Sequence, residues 1–502
     1  MANLASLAKD TAIYGLSSIV GRFLNYLLVP LYTAKLAAET GGYGVITEVY
    51  SYVALFLILL TFGMETTFFR FMNKSGEDAG RVYPTVLLMV GGVGLVFVAV
   101  VLLCLGPISV ALDYASHPEY LGMMAVCVAL DAFQSIPYAY LRYSHRALKF
   151  AGLKLLFIVL NIGLNLVYFV WLPSLYESGT LREFVGWIYD PNYGVGYVFA
   201  LNLFCTALIT FFFRKELTGF RYVFDKGLAK RMLSYAWPLL LLGIVGILNQ
   251  TADKILFPRV MGGHEGKVQL GIYGASVKIA MIMAMITQAF RYAYEPFVFG
   301  KEREGDARAT YARAMKYFLI FTLLAFLIVV GYLEILQYII GATYREGLKV
   351  VPIVMVAEIM MGIYFNLSFW YKLTDRTIWG AWLSGAGCAV LILINLLFIP
   401  RYGYMACAWA GVAGYGVAMI LSYVAGRRYY PIDYPLKSMG VYVLLAALFF
   451  GIMKLGALHL ASRWLRLGLN TGCVVLFFAH AVHYDLPLGS WPVVGKYFKK
   501  KG

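Results

Sequence analysis

Three polar residues interrupt the first long apolar run of the chain: Ser18, Arg22 and Asn25, spaced i, i+4 and i+7 so that they share one helical stripe. A guanidinium in such a stripe offers a planar fork of donors that matches phosphate oxygens, the chemistry of gripping a diphosphate. The plainer alternative is an arginine bonded to carbonyls of a neighbouring helix. Further along, Lys278, Gln288, Tyr292 and Glu295 fall within one face about 100° wide, with Arg291 just outside the arc. Such a face either lines a wet cavity or forms a polar seam between helices. The candidate anion-binding residues are therefore Arg22, Asn25 and Lys278, supported by Arg291 and Lys254. Carboxylates inside apolar runs, Asp131 and Glu358, and the pair Glu65 and Glu295, are candidates for binding a proton or cation. The plainer alternative is that Asp131 and Glu358 accept bonds from nearby tyrosines and that Glu65 and Glu295 bond Arg70, Arg291 or loop amides.

No covalent chemistry accompanies these residues. The sequence holds no GxxxxGK[ST], HExxH or GxSxG, and no GxGxxG between a strand and a helix. His480 and His483 share a helix face near Asp485 without an evident third ligand. Cys104, Cys127, Cys205, Cys388, Cys407 and Cys473 each sit singly within apolar runs. Neither a metal, a disulfide nor a cofactor is expected, and the chain does not read as an enzyme.

The elements that must position these side chains are membrane-crossing helices. Of 502 residues, 61% are apolar and 14% charged, where soluble domains run at roughly 45–50% and 25%. That balance excludes a water-soluble enzyme, whose surface needs far more charge. A crossing takes about 20 residues, and the apolar stretches form about fourteen spans, six of them before the basic segment RKELTGFRYVFDKGLAKR. All should be helices, because an open sheet leaves backbone groups unsatisfied in hydrocarbon.

The formal net charge of +16 reflects topology rather than nucleic acid. With the N-terminus inside, most of the cations fall on the inner side, which makes both termini cytoplasmic and lets juxtamembrane lysines and arginines attract anionic lipid headgroups. The opening MANLASLAKD is not a cleavable signal, so the first span is expected to stay in the mature protein.

The chain also repeats itself. A shift of 230 residues lays Tyr43 and Gly44 on Tyr273 and Gly274, Glu65 on Glu295, Arg146 on Arg376 and Asn165 on Asn395. Six spans per copy leave both copies in the same orientation, related by a pseudo-two-fold along the membrane normal, with a transport path at their interface. The expected divisions are 1–222, 223–426, and 427–502 with a basic cytoplasmic tail. The same shift places Glu48 on Lys278. Either these two pair as an outer gate when a central cavity opens inward, or each is satisfied within its own half.

The run YGLSSIVGRFLNYLLVPLYTAKL at 14–36, the Tyr43–Gly44 pair and the basic turn after the second span resemble the polysaccharide-type flippases. These belong to the superfamily that also holds lipid II flippases and multidrug extruders. The resemblance implies an all-α polytopic fold of two six-helix lobes and two further C-terminal helices, with a central cationic cavity. It also implies a bacterial inner-membrane protein that moves an undecaprenyl-pyrophosphate-linked oligosaccharide to the outer leaflet by alternating access, in the company of a glycan polymerase or other pathway proteins. The stretch holding Ser18, Arg22 and Asn25 departs from the paired-arginine pattern of lipid II flippases, which favours a glycan-repeat cargo. The rivals are a lipid II flippase, a cation-coupled multidrug extruder, and a membrane enzyme acting on lipid-linked glycans.

Overall fold

The computed structural model describes residues 26–74, 78–179, 182–301, 307–374 and 376–486, without the side chains of Ala79, Arg182, 292–301 and Ala307. No strand occurs among the described residues. The principal helices are α1 (Leu28–Lys35), α2 (Gly42–Thr61), α3 (Met64–Met72), α4 (Ala79–Leu103), α5 (Leu105–Ala111), α6 (Pro118–Tyr143), α7 (Ala147–Leu166), α8 (Arg182–Ile188) and α9 (Gly196–Phe212). They continue with α10 (Lys226–Met261), α11 (Gly263–Lys301), α12 (Ala307–Gly331), α13 (Val351–Leu367), α14 (Ile378–Tyr402), α15 (Tyr404–Tyr429), α16 (Leu436–His459) and α17 (Arg463–Tyr484).

Twelve described spans are long and apolar enough to cross a membrane, the first of them joining α2 and α3. The sixth expected span appears as the shorter apolar helix α9, and the first falls mostly on residues outside the described ones. The apolar surface is turned outward as well as inward: Leu95 and Leu103 of α4 are 74% and 85% exposed, as is Leu444 of α16 at 71%. Such a surface requires a hydrocarbon solvent. The patterning of apolar runs thus produces the all-helical, multi-pass membrane fold expected from it.

The chain divides into two compact units. One comprises the described residues up to Ala275, with Ile340–Glu346 and Cys388–Ala410; the other comprises Ser276–Ile339, Gly347–Gly387 and the described residues from Gly411 onward. Helix α10 and the first turns of α11 pack within the first unit, α10 lying along α2. The core there joins α3, α4, α6 and α10 through Met64, Phe68, Val82, Val86, Ile136 and Met232. Asp225 starts α10 by accepting a 2.9 Å bond from the Leu228 amide, which holds its carboxyl below the ordinary range.

In the second unit, α16 and α17 are clamped to α12 and the segment after it by polar contacts at both ends. Lys316 pairs with Asp485, which also accepts from Tyr442 at 2.6 Å. At the other end, Arg466 pairs with Glu334 at 2.7 Å, and Asn470 donates to the Gly331 carbonyl at 2.7 Å. The C-terminal pair is therefore held in register with α12 rather than attached by apolar contact alone.

Two features of the first unit set the placement of charged residues. Phe62 and Gly63, with φ of 32° and 74°, break the second span between α2 and α3 and re-aim the residues that follow, Glu65 among them. At its other end, α2 meets α11 backbone to backbone: a Cβ on Gly44 would lie 1.8 Å from the Lys267 carbonyl oxygen, and one on Gly271 would lie 2.9 Å from the Gly44 nitrogen. Only glycine permits that approach. Gly44→Val is expected to destabilise the protein by about 1–3 kcal/mol or more through overpacking, whereas Gly92→Ala, with no atom within 4 Å of the added methyl, is expected to be near neutral. Thermal unfolding of the two variants in detergent compares them.

Candidate functional site

Where α2 approaches α10 and α11, an acid is buried among donors. Glu48 is 0% exposed. Its Oε1 accepts from Arg259 Nη2 at 3.1 Å and its Oε2 from the Tyr114 hydroxyl at 2.8 Å. Arg259, in the last turn of α10, uses its remaining donors on the Ala111 carbonyl at 2.7 Å, the Leu112 carbonyl at 3.1 Å and the Tyr52 hydroxyl at 3.3 Å. Lys267 of α11 donates to the Asp113 carbonyl at 2.6 Å, pairs with its carboxylate at 3.1 Å and lies over the Tyr114 ring at 4.5 Å. Burial, then the adjacent Glu48 carboxylate, pushes the Tyr114 hydroxyl well above its ordinary range and keeps it a donor. One guanidinium and one ammonium thus stitch the ends of α10 and α11 to α2 and to the connection between α5 and α6.

The same end of the unit is stitched a second time. The Gly341 amide donates to Thr33 at 3.0 Å, the Ala38 amide to Thr343 at 3.1 Å, and the Tyr344 hydroxyl to the Leu36 carbonyl at 2.6 Å. Tyr344 also meets Tyr43 edge-on at 5.8 Å.

The residues singled out by sequence fall in different settings. Arg22 and Asn25 lie outside the described residues, as does the side chain of Glu295. The cation paired with Glu48 is Arg259, where the repeat assigned Lys278. Helix α10 ends with its guanidinium directed at α2. Lys278 and Glu358 are half-buried in the second unit. Arg291 is exposed and lies over the Phe365 ring at 5.0 Å. Lys254 is already engaged, 3.0 Å from Asp253 and 2.7 Å from the Gln250 carbonyl, while Asp253 also accepts from Tyr273 at 2.8 Å.

Glu65 pairs with Arg142 rather than with Arg70, Arg291 or a loop amide. The break at Phe62 and Gly63 turns it toward the end of α6, and Arg70 stacks instead on Tyr235 at 4.1 Å. Asp131 sits in a polar seam of α6 and α9. Thr206 donates to it over a long 3.5 Å and Cys127 lies 4.0 Å away. In the same seam Gln134 donates to the Thr206 carbonyl and to Thr210, both at 2.8 Å. No group of three metal-ligating side chains occurs among the described residues.

Sequence reasoning overlooked Arg259, Tyr114 and Lys267. Arg259 follows Pro258 at the end of a span, where an arginine reads as an interfacial residue, and Tyr114 lies in a connection. The one available signal was Glu48 itself, an acid near a helix end that had to find a cation.

Removing one partner of a buried pair strands the other. Arg259→Met is therefore expected to cost about 3 kcal/mol, and Glu48→Met combined with Arg259→Met is expected to recover part of that loss. Unfolding of the two variants in detergent measures the difference; equal losses would mean the charges are not coupled.

Residues 7–293, more than half of the chain, match the family described as Polysaccharide biosynthesis protein. A protein of Haemophilus influenzae described as an uncharacterized membrane protein is 19% identical over 312 residues, 60% of this chain and 68% of its own. Among solved structures, the lipid II flippase MurJ in an inward closed conformation superposes with a TM-score of 0.70 at 15% identity, covering 94% of this chain and 98% of that one. An inward-facing multidrug resistance MATE family transporter of the MOP superfamily gives 0.60 at 15% identity, with 81% and 93% covered. At such identities the likeness concerns the fold, and the family match concerns the lineage. The chain belongs to the polysaccharide biosynthesis protein family and carries the all-helical membrane fold of the MurJ and MATE transporters.

Proposed function

We propose that this protein is a flippase of the bacterial inner membrane, with both termini in the cytoplasm. It moves a polyprenyl-pyrophosphate-linked oligosaccharide from the cytoplasmic to the periplasmic leaflet by alternating access, and no bond of the cargo is made or broken. The observation that supports the transport mechanism is the buried ion pair at Glu48, which we read as a closure that can be released. A carboxylate buried against Arg259 and Tyr114, beside glycines that let α2 and α11 touch, joins helix ends from the two sequence repeats through contacts that water can replace. A buried ion pair contributes little net stability relative to its hydrated parts, so it holds a state without making that state irreversible. Membership of the polysaccharide biosynthesis family supports the glycan cargo.

The charge of the cargo sets the rest of the mechanism. A diphosphate cannot enter hydrocarbon, so its route must be wet and positively lined while the polyprenyl tail stays in lipid. Arg22, Asn25 and Lys278 are the residues proposed to attract it, with Arg291 in support. Lys254, held by Asp253, contributes by field more than by contact. Asp131, Glu358, Glu65 and Glu295 are the carboxylates through which a proton or cation would couple to the cycle. The gate of this proposal is the Glu48 closure, with Arg259 as its cation in the closed form and Lys278 as the repeat-related position. A polymerase that consumes the flipped glycan is the expected partner.

The test bridges the closure. Cys104 is the exposed one among six free cysteines, so Glu48→Cys and Arg259→Cys are placed in a Cys104→Ser background and joined by a short cleavable bis-maleimide. In proteoliposomes carrying a fluorescent polyprenyl-diphosphate oligosaccharide, the unbridged protein is expected to redistribute the lipid between leaflets at unchanged covalent mass. Bridging is expected to stop it, and cleavage of the linker to restore it. Transport that continues after bridging would contradict the closure; export of organic cations with no movement of the lipid would replace the flippase by a drug extruder.

A further inference from the structure

Lys154 stands two turns into α7, in the otherwise apolar stretch after Lys149. Among the described residues its ammonium has no hydrogen-bond acceptor and no carboxylate in contact; it lies 4.0 Å above the centroid of the Tyr138 ring. Tyr138 is itself buried, so the lysine folds inward rather than reaching for the membrane surface. An ammonium carries three donors, and a ring face satisfies the charge without satisfying them. Within a membrane bundle that is a costly arrangement unless something else supplies oxygen.

The neighbouring cation has a spare donor too. Arg142, at the end of α6, spends Nη2 on Glu65 and rests over Phe69 at 4.9 Å, yet its buried Nε has no partner. Arg142, Glu65 and Asp131 all act electrostatically on Lys154 without contacting it. Asp131 is poorly engaged in turn, its nearest donor being the Thr206 hydroxyl at 3.5 Å. The group is approachable, since the Arg142 side chain is 31% exposed and Lys154 is only half-buried.

We propose that Lys154 and Arg142 form a binding site for phosphoryl oxygens on the face of the first unit that the charge distribution assigns to the cytoplasm. Glu65 and Asp131 are its resident counter-charges. Lys154 contributes a mobile point charge with three donors, and Arg142 contributes Nε beside a guanidinium that an arriving phosphate can take from Glu65. The two carboxylates keep the cations from being stranded when no anion is bound, and their field makes release possible afterwards. That the phosphate belongs to a lipid-borne diphosphate rests on the flippase proposal; the site itself rests on the unmatched donors.

The probe is inorganic pyrophosphate, titrated calorimetrically into the full chain in nanodiscs. Wild-type protein is expected to bind it. Lys154→Met and Arg142→Gln are each expected to weaken binding about tenfold or more, the loss of one charge-assisted contact. Lys154→Arg should bind within a fewfold of wild type, and Glu65→Gln should bind more tightly because a competing carboxylate is gone. If Lys154→Met does not fold, Glu65→Gln decides. Absence of wild-type binding, unchanged affinity in folded Lys154→Met, or weaker binding by Glu65→Gln overturns the site. Polyprenyl diphosphate doped into the nanodisc is expected to compete with pyrophosphate; binding without that competition assigns the site to a soluble phosphate and overturns the lipid source. Leaflet redistribution by Lys154→Met at the wild-type rate would sink this site while leaving the flippase standing. Pyrophosphate binding by a protein that flips nothing would do the reverse.

Discussion

A charge inside a membrane bundle must find its opposite within the protein or keep contact with water, and several ion pairs among the described residues show that constraint. Glu216 is fully buried and takes Arg146 and Lys149. Asp253 takes Lys254. In the second unit Lys316 takes Asp485 and Arg466 takes Glu334. Asp253 also accepts from Tyr273 of the next helix, and each of the other pairs joins segments that are distant in sequence. Apolar packing alone would leave helices free to slide, because lipid is as good a solvent for leucine as another helix is.

The pair at Glu48 and Arg259 differs from these in what it joins. It ties the second span to the seventh and, through the Ala111 and Leu112 carbonyls, to the connection after the third. Beside it, the close approach at Gly44 and Gly271 brings together helix ends that the sequence repeat relates. A contact made of backbone approach and one ion pair is well suited to opening. Both charges are stable in water once apart. The Lys154 and Arg142 group obeys the same electrostatics with the opposite result, since there the donors outnumber their partners.

Apolar runs made the fold legible from sequence. Length and hydrophobicity alone decide whether a segment crosses lipid, and thirteen of the fourteen expected spans have a helical counterpart among the described residues. Contacts between spans were less legible. The repeat drew attention to Glu48 and to the Tyr43–Gly44 and Tyr273–Gly274 ends, while the cation that Glu48 takes comes from α10 and its second donor from a connection. Glu65 shows the same limit: its partner, Arg142, follows from the break at Phe62 and Gly63, which turns the chain by a local positive φ that hydropathy does not register. Pairing across a bundle depends on helix rotation and depth, and neither is encoded in the spacing of a single helix.

Movement of an anionic lipid-linked glycan between leaflets is the central step of the proposed function. Depleting the protein from its native cell and detecting the lipid-linked glycan separately in each leaflet tests this most directly. Accumulation in the cytoplasmic leaflet with loss from the periplasmic one is the result the account predicts. An unchanged leaflet distribution, accompanied by altered sensitivity to organic cations, would contradict it.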